Sequence, residues 1–214
     1  MAQSSRKFVA HLSILLLLLL FFAGRMPSVL VHIMGVAGSG KTTVAKGVSE
    51  ALGFTFLEAD NFHSEANRDK MASGIPLTDA DRLPWLAAIK QHIDGCDRDT
   101  GVVLACSALK KSYRTLLYSG LLSVVVVYLD GSYELLRSRM EKRSGHFMPV
   151  KLLQSQFDVL EIPSDKEMED YERENEGGGD RKACRHLLNV GLEQTIQDEI
   201  DQVLTFVRDL TVEN

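Results

Sequence analysis

The chain is poor in the residues that staple or metallate small folds. Its three cysteines, Cys96, Cys106 and Cys184, are odd in number and form no Cys-x-x-Cys pair. Neither a disulfide framework nor a structural zinc site is indicated, and a reducing compartment fits. Basic excess is also lacking. A formal net charge of −5 gives no electrostatic footprint for nucleic acid, which is not expected as a partner. There is no internal repeat and no Asn-Lys-x-Asp motif of the kind that reads guanine. At 214 residues the chain is too short for the usual apparatus of a nucleotide-driven motor. What it has is 45% apolar and 25% charged residues, the composition of an ordinary globular domain with one substantial core.

One apolar run stands apart. Arg6 and Lys7 precede FVAHLSILLLLLLFFAG, a positive flank followed by an apolar block of the kind found in signal peptides and short anchors. Its uninterrupted part, Ile14 to Gly24, falls short of the roughly 20 residues that a spanning helix needs. Residues 1–26 therefore read as a hydrophobic extension, signal-like or anchor-like, and residues 27–214 as the domain.

Along that domain, short unbroken apolar runs alternate with helical patterns. Val29 to Met34, Phe54 to Leu57, Val102 to Cys106, Val124 to Leu129 and Arg185 to Val190 read as strands. Thr42 to Leu52, a segment from Leu83 or Pro84 onward, Leu109 to Leu117, Tyr133 to Arg143, Leu152 to Leu160 and Glu193 to Leu210 read as helices. Strands apolar throughout belong to a parallel sheet covered on both faces, so the expected fold class is α/β with three layers. The acidic stretch Asp165 to Asp180 reads as mobile, part of a glycine-rich insertion near 165–182.

The first strand runs straight into GVAGSGKTT. Gly35, Gly40, Lys41 and Thr42 meet the pattern G-x-x-x-x-G-K-[ST], whose main-chain N–H groups wrap phosphate oxygens where side chains would collide. The loop Gly35, Val36, Ala37, Gly38, Ser39, Gly40, Lys41, Thr42 and Thr43 is the expected ATP site. Lys41 would bridge the terminal phosphates and the Thr42 hydroxyl would ligate Mg2+. A need for ATP argues for a cytoplasmic location, with membrane contact only if the apolar extension is retained.

A second constellation follows the second strand: Asp60, His63, Asn67, Lys70, Asp79, Asp81 and Arg82, with Trp85 close behind. Taken by composition this is a solvated surface loop. In a doubly wound sheet, however, ligands bind beyond the carboxyl ends of the strands, which sets these groups across a crevice from the phosphate loop. The segments GVAGSGKTT, ADNFHSEANRDKMASGIPLTDADRLPWL, VVLACSALKKSYR and RMEKRSGHFMPVKLLQSQFDVLE together resemble the gluconokinase family, relatives of shikimate kinase among the P-loop small-molecule kinases. The long second segment and GHFMP-x-x-LL-x-SQF carry the distinction from the shikimate enzymes.

The resemblance implies a P-loop kinase domain with a helical lid, a homodimer, and ATP-dependent phosphorylation of D-gluconate at its 6-hydroxyl. Other readings are a kinase for another small sugar acid or shikimate-like alcohol, and a catalytically impaired nucleotide-binding protein. Phosphoryl transfer needs an in-line hydroxyl, a proton acceptor and cations around the phosphates. Asp60 is the candidate base, with an auxiliary role near Mg2+ as its rival. A polyhydroxy carboxylate needs cations, for which Arg82 and Lys70 suit, and hydroxyl partners, for which His63, Asn67 and Asp81 suit; Lys110 could reach substrate or phosphate. Arg139 and Arg143 lie one helical turn apart, and the resemblance places them on the lid over the transferring phosphate. Asp130 and Cys106 are read as structural. After Glu161 the likeness weakens, either through a tolerated surface insertion or through a rearranged C-terminal part.

Overall fold

The computed structural model of the protein describes residues 29–97, 100–121, 123–142, 150–174 and 184–212. Five parallel strands form one sheet in the order β2-β3-β1-β4-β5. They are β1 (Val29–Met34), β2 (Thr55–Glu58), β3 (Val102–Ala105), β4 (Ser123–Asp130) and β5 (Cys184–Gly191). The helices are α1 (Lys41–Leu52), α2 (Glu65–Ala72), α3 (Asp79–Gly95), α4 (Lys111–Tyr118), α5 (Tyr133–Lys142), α6 (Leu153–Asp158), α7 (Asp165–Glu174) and α8 (Ile196–Val212). The hydrophobic extension 1–26 lies outside the described residues. Among those described, no helix is long and apolar enough to cross a membrane.

The central strands are apolar along most of their length because they face protein on both sides. Leu30 and Met34 of β1 pack with Trp85, Leu86 and Ile89 of α3, Leu117 and Tyr118 of α4, and Met168 and Tyr171 of α7. Val31 and Ile33 point the other way, towards Val44 and Val48 of α1, Leu136 of α5, and Val203 and Val207 of α8. This two-sided burial makes the three-layer α/β sandwich that the strand pattern implies. A polar residue, His32, is nevertheless fully buried in β1. Its Nε2 donates to the Cys106 carbonyl at 2.9 Å and its Nδ1 accepts from the Tyr118 hydroxyl, while burial pushes its pKa down to about 3. His32 is thus a neutral bridge between β1 and its neighbours. Burial likewise pushes the Cys106 thiol far up, in keeping with a structural role.

Two elements depart from the sequence pattern. Helix α3 begins at Asp79, well before Pro84, because Thr78 and Asp81 form a reciprocal capping box. Pro84 falls inside the helix and leaves the Ala80 carbonyl without its usual N–H partner. The second departure corrects the expectation of mobility for Asp165 to Glu174, while residues 175–182 of the expected insertion lie outside the described residues. Residues Asp165–Glu174 are helix α7, and Glu167 on it grips the fully buried Arg114 of α4 with two bonds of 2.7 and 2.6 Å. The same guanidinium donates to the Ala108 and Leu109 carbonyls, so its donors are well matched.

Removing one partner of such a pair strands a buried charge. Glu167→Ala should lower unfolding stability by about 3–5 kcal/mol, read as a fall in the urea midpoint. An unchanged midpoint would contradict the anchoring role assigned to α7.

Candidate active site

The phosphate loop is built by its backbone. Gly35, Gly38 and Gly40 have φ of 149°, 83° and 93°. A Cβ at Gly35 would meet the Leu129 carbonyl at 2.9 Å, and one at Gly38 would meet Met140 at 2.9 Å, so the loop needs glycine for conformation and for space. Gly40 is also the N-cap of α1, and no side chain caps that helix start. Its amide dipoles are aimed at whatever anion lies in the loop. Val36 and Ser39 are buried beneath the loop, whereas Ala37, Gly38, Gly40, Lys41, Thr42 and Thr43 line a cleft. Lys41 Nζ donates to the Val36 carbonyl at 3.1 Å, folding the ammonium over the loop.

The same cleft is lined by Glu58 and Asp60 from the carboxyl end of β2, then His63, Arg82, Trp85 and Gln156. Trp85 holds this wall in place, its indole N–H donating to the Ala59 carbonyl at 2.8 Å while His63 stacks on its ring at 4.3 Å between centroids. Burial lowers the His63 pKa to about 4; the Asp60 charge opposes that shift, and Arg82 and Arg68 reinforce it. His63 is therefore a neutral ring at physiological pH, fit for hydrogen bonds to hydroxyls. Arg82 donates to the Leu77 carbonyl and lies over the Tyr113 ring.

Two contributors are not flagged by the motifs as site residues. Glu58 accepts a 2.7 Å bond from the Thr42 hydroxyl, and its pKa is raised by burial. A carboxylate at a strand's carboxyl end was the available signal, and it pointed equally to Asp60. Gln156 accepts a 2.7 Å bond from the Ala37 amide, a pairing across 119 positions that no local pattern reveals.

The other candidates fall elsewhere. Asn67, Lys70 and Asp81 are committed to one another: the Asn67 amide donates to the Asp81 carbonyl at 2.9 Å, and Lys70 pairs with the Asp81 carboxylate at 2.7 Å. Lys70, with the Thr78 cap, holds the Asp81 pKa down at about 2. These three residues latch α2 to the start of α3 and do not line the cleft. Lys110 likewise pairs with Asp79 at 2.8 Å, and Tyr113 donates to the same carboxylate. Arg139 donates to the Leu192 carbonyl at 2.8 Å, beyond β5. The buried Glu199 carboxyl nearby has its pKa raised by burial, with Arg139 opposing. Arg143 and the GHFMP segment lie outside the described residues.

A family model described as an AAA domain matches residues 30–163. A probable gluconokinase of Mus musculus is 48% identical over 159 residues, covering 64% of this chain and 84% of that protein. The gluconokinase of Gluconobacter oxydans is 48% identical over 136 residues, covering 63% and 76%. The chain belongs to the gluconokinase family. Two solved structures share its fold at substantial identity. The gluconokinase of Sinorhizobium meliloti has a TM-score of 0.68 at 39% identity, covering 87% of this chain and 95% of that one. An unliganded sugar kinase from Janibacter has a TM-score of 0.73 at 40% identity, covering 85% and 95%. Gluconokinase membership makes the chain a kinase of the P-loop class.

The proximity of Asp60 to His63 can be tested without any ligand. In NMR titrations the His63 ring should stay neutral until about pH 4, and Asp60→Asn should lower that midpoint further by removing a charge that favours the imidazolium. A wild-type midpoint near 6.5, or an upward shift in the variant, would refute this arrangement.

Proposed function

We propose that this chain transfers the terminal phosphoryl group of ATP to the 6-hydroxyl of D-gluconate. The observation that carries the proposal is the single cleft in which Gly38, Lys41 and Thr42 of the phosphate loop face Asp60, His63 and Arg82 of the acceptor wall. One wall is main-chain amides and a lysine, suited to phosphates. The other combines a carboxylate, a neutral imidazole and a guanidinium, suited to a hydroxyl-bearing anion.

In this reading Asp60, exposed to the cleft, accepts the proton of the attacking hydroxyl, and Arg82 faces the acceptor's carboxylate. His63, fixed by its stack on Trp85, takes a sugar hydroxyl. Lys41 swings from the Val36 carbonyl to the phosphates. Positioning of this kind, with charge neutralisation, accounts for most of the barrier reduction in phosphoryl transfer. Arg139, anchored at Leu192, is assigned to the side of the loop where the turn after Gly191 would flank the base.

The donor set also fits Mg2+. Among the described residues no cluster of three or more acidic, histidine or cysteine side chains could hold a metal alone. Thr42 Oγ1 and the Glu58 carboxylate, 2.7 Å apart, instead offer the few oxygens that suffice for an ion carried in on phosphates. When bound, that ion would neutralise charge on the phosphate oxygens.

The test is a coupled ADP-release assay with D-gluconate, shikimate and nucleoside monophosphates as acceptors. Turnover on gluconate at least about a hundredfold above the others in kcat/KM is expected, since a site built for hydrogen bonds to its acceptor rejects analogues that leave polar groups unpaired. Turnover on shikimate or a nucleotide with none on gluconate would overturn the assignment.

A further inference from the structure

Gln156 on α6 forms part of the cleft wall, yet its bond runs to the phosphate loop rather than to the acceptor wall. A backbone N–H can only donate, so the atom that meets Ala37 is the carboxamide oxygen, and the orientation of the amide is settled. The NH2 end is then the polar end of the side chain not taken up by the loop amide, on a residue that lines the cleft. Among the described residues none accepts a hydrogen bond from it. The cleft also holds Lys41 and Arg82 as cations, and Glu58 and Asp60 as carboxylates. Two neutral donors set at the rim of the loop match the non-bridging oxygens of a phosphoryl group, which remain exposed once the main-chain amides and Lys41 have taken theirs.

We infer that Gln156 is a phosphoryl-positioning residue: the Ala37 N–H holds its carboxamide oxygen so that its NH2 group donates to the terminal phosphoryl of a bound nucleoside triphosphate. The inference rests on reading the cleft as a phosphoryl-transfer site, and it is independent of the acceptor's identity. It distinguishes Gln156 from a placeholder, whose oxygen would sit on the Ala37 amide only until a phosphate displaced it. A positioning residue strengthens binding of the third phosphate alone. A placeholder weakens binding of every nucleotide that needs the amide.

Calorimetric titration of the full chain with ADP and with the β,γ-imido analogue of ATP, both with Mg2+, separates the two roles. Gln156→Met removes both polar ends at similar length. It should leave ADP affinity within about twofold of wild type and weaken the analogue about tenfold, the scale of one hydrogen bond to a charged group. Gln156→Glu keeps an acceptor for the Ala37 amide but has no donor and carries a negative charge, so it should weaken the analogue further relative to ADP. A wild-type ratio of analogue to ADP affinity in both variants would overturn the inference. So would a Gln156→Met protein that binds both nucleotides more tightly. Gluconate plays no part in these titrations, so its failure in the ADP-release assay would remove the acceptor assignment and leave this result standing.

Discussion

Main-chain N–H groups can surround a phosphate only where no side chain intrudes, and this steric condition organises the molecule. It explains why position 35 has no room for a Cβ, which would come within 2.9 Å of the Leu129 carbonyl oxygen, and why a Cβ at Gly38 would meet Met140 of α5. It explains why α1 starts on an uncapped glycine, leaving its dipole for an anion. The strand that leads into the loop, β1, is hydrogen-bonded to β3 on one side and β4 on the other. Placed at the middle of the sheet, the loop can be reached by groups from the ends of β2, β3 and the helices that follow them.

Around the phosphate loop, the side of the cleft that carries Asp60 and His63 is held by contacts between its own elements. Trp85 ties the turn bearing Asp60 to α3, and the Thr78 and Asp81 box sets where α3 begins. The Asn67, Lys70 and Asp81 latch then fixes α2 against it. Farther out, the Arg114 and Glu167 pair binds α7 to α4 beneath the same face of the sheet. A site that discriminates among polyhydroxy anions needs such support, because an error of about 1 Å in placement is costly to transfer.

The legible parts of this design were those written locally. The strands β3 and β4 could be read because unbroken apolar runs have few other uses, and the phosphate loop because its glycines, lysine and threonine lie within one short stretch. Asp60, His63 and Arg82 were legible as a charged segment at a strand's carboxyl end. Asn67, Lys70 and Asp81 looked equally suitable, since a polar side chain that latches two helices has the same composition as one that binds a sugar. The early start of α3 was obscured by Pro84, although the threonine and aspartate three residues apart carried the capping signal. Helix α7 was hidden by its acidity: its buried carboxylate is explained only by an arginine 53 residues away. Gln156 was hidden for a similar reason, as its partner is a backbone amide with no side-chain identity to read.

The central claim is that one cleft presents main-chain amides to the nucleotide's terminal phosphate and the Asp60 carboxylate to the hydroxyl that attacks it. A crystal structure with the β,γ-imido analogue of ATP and D-gluconate tests this directly. The account predicts the terminal phosphate against the loop amides, with the 6-hydroxyl of gluconate between that phosphate and Asp60. A sugar acid bound outside this cleft, or with its 6-hydroxyl turned away from the phosphate, would contradict it.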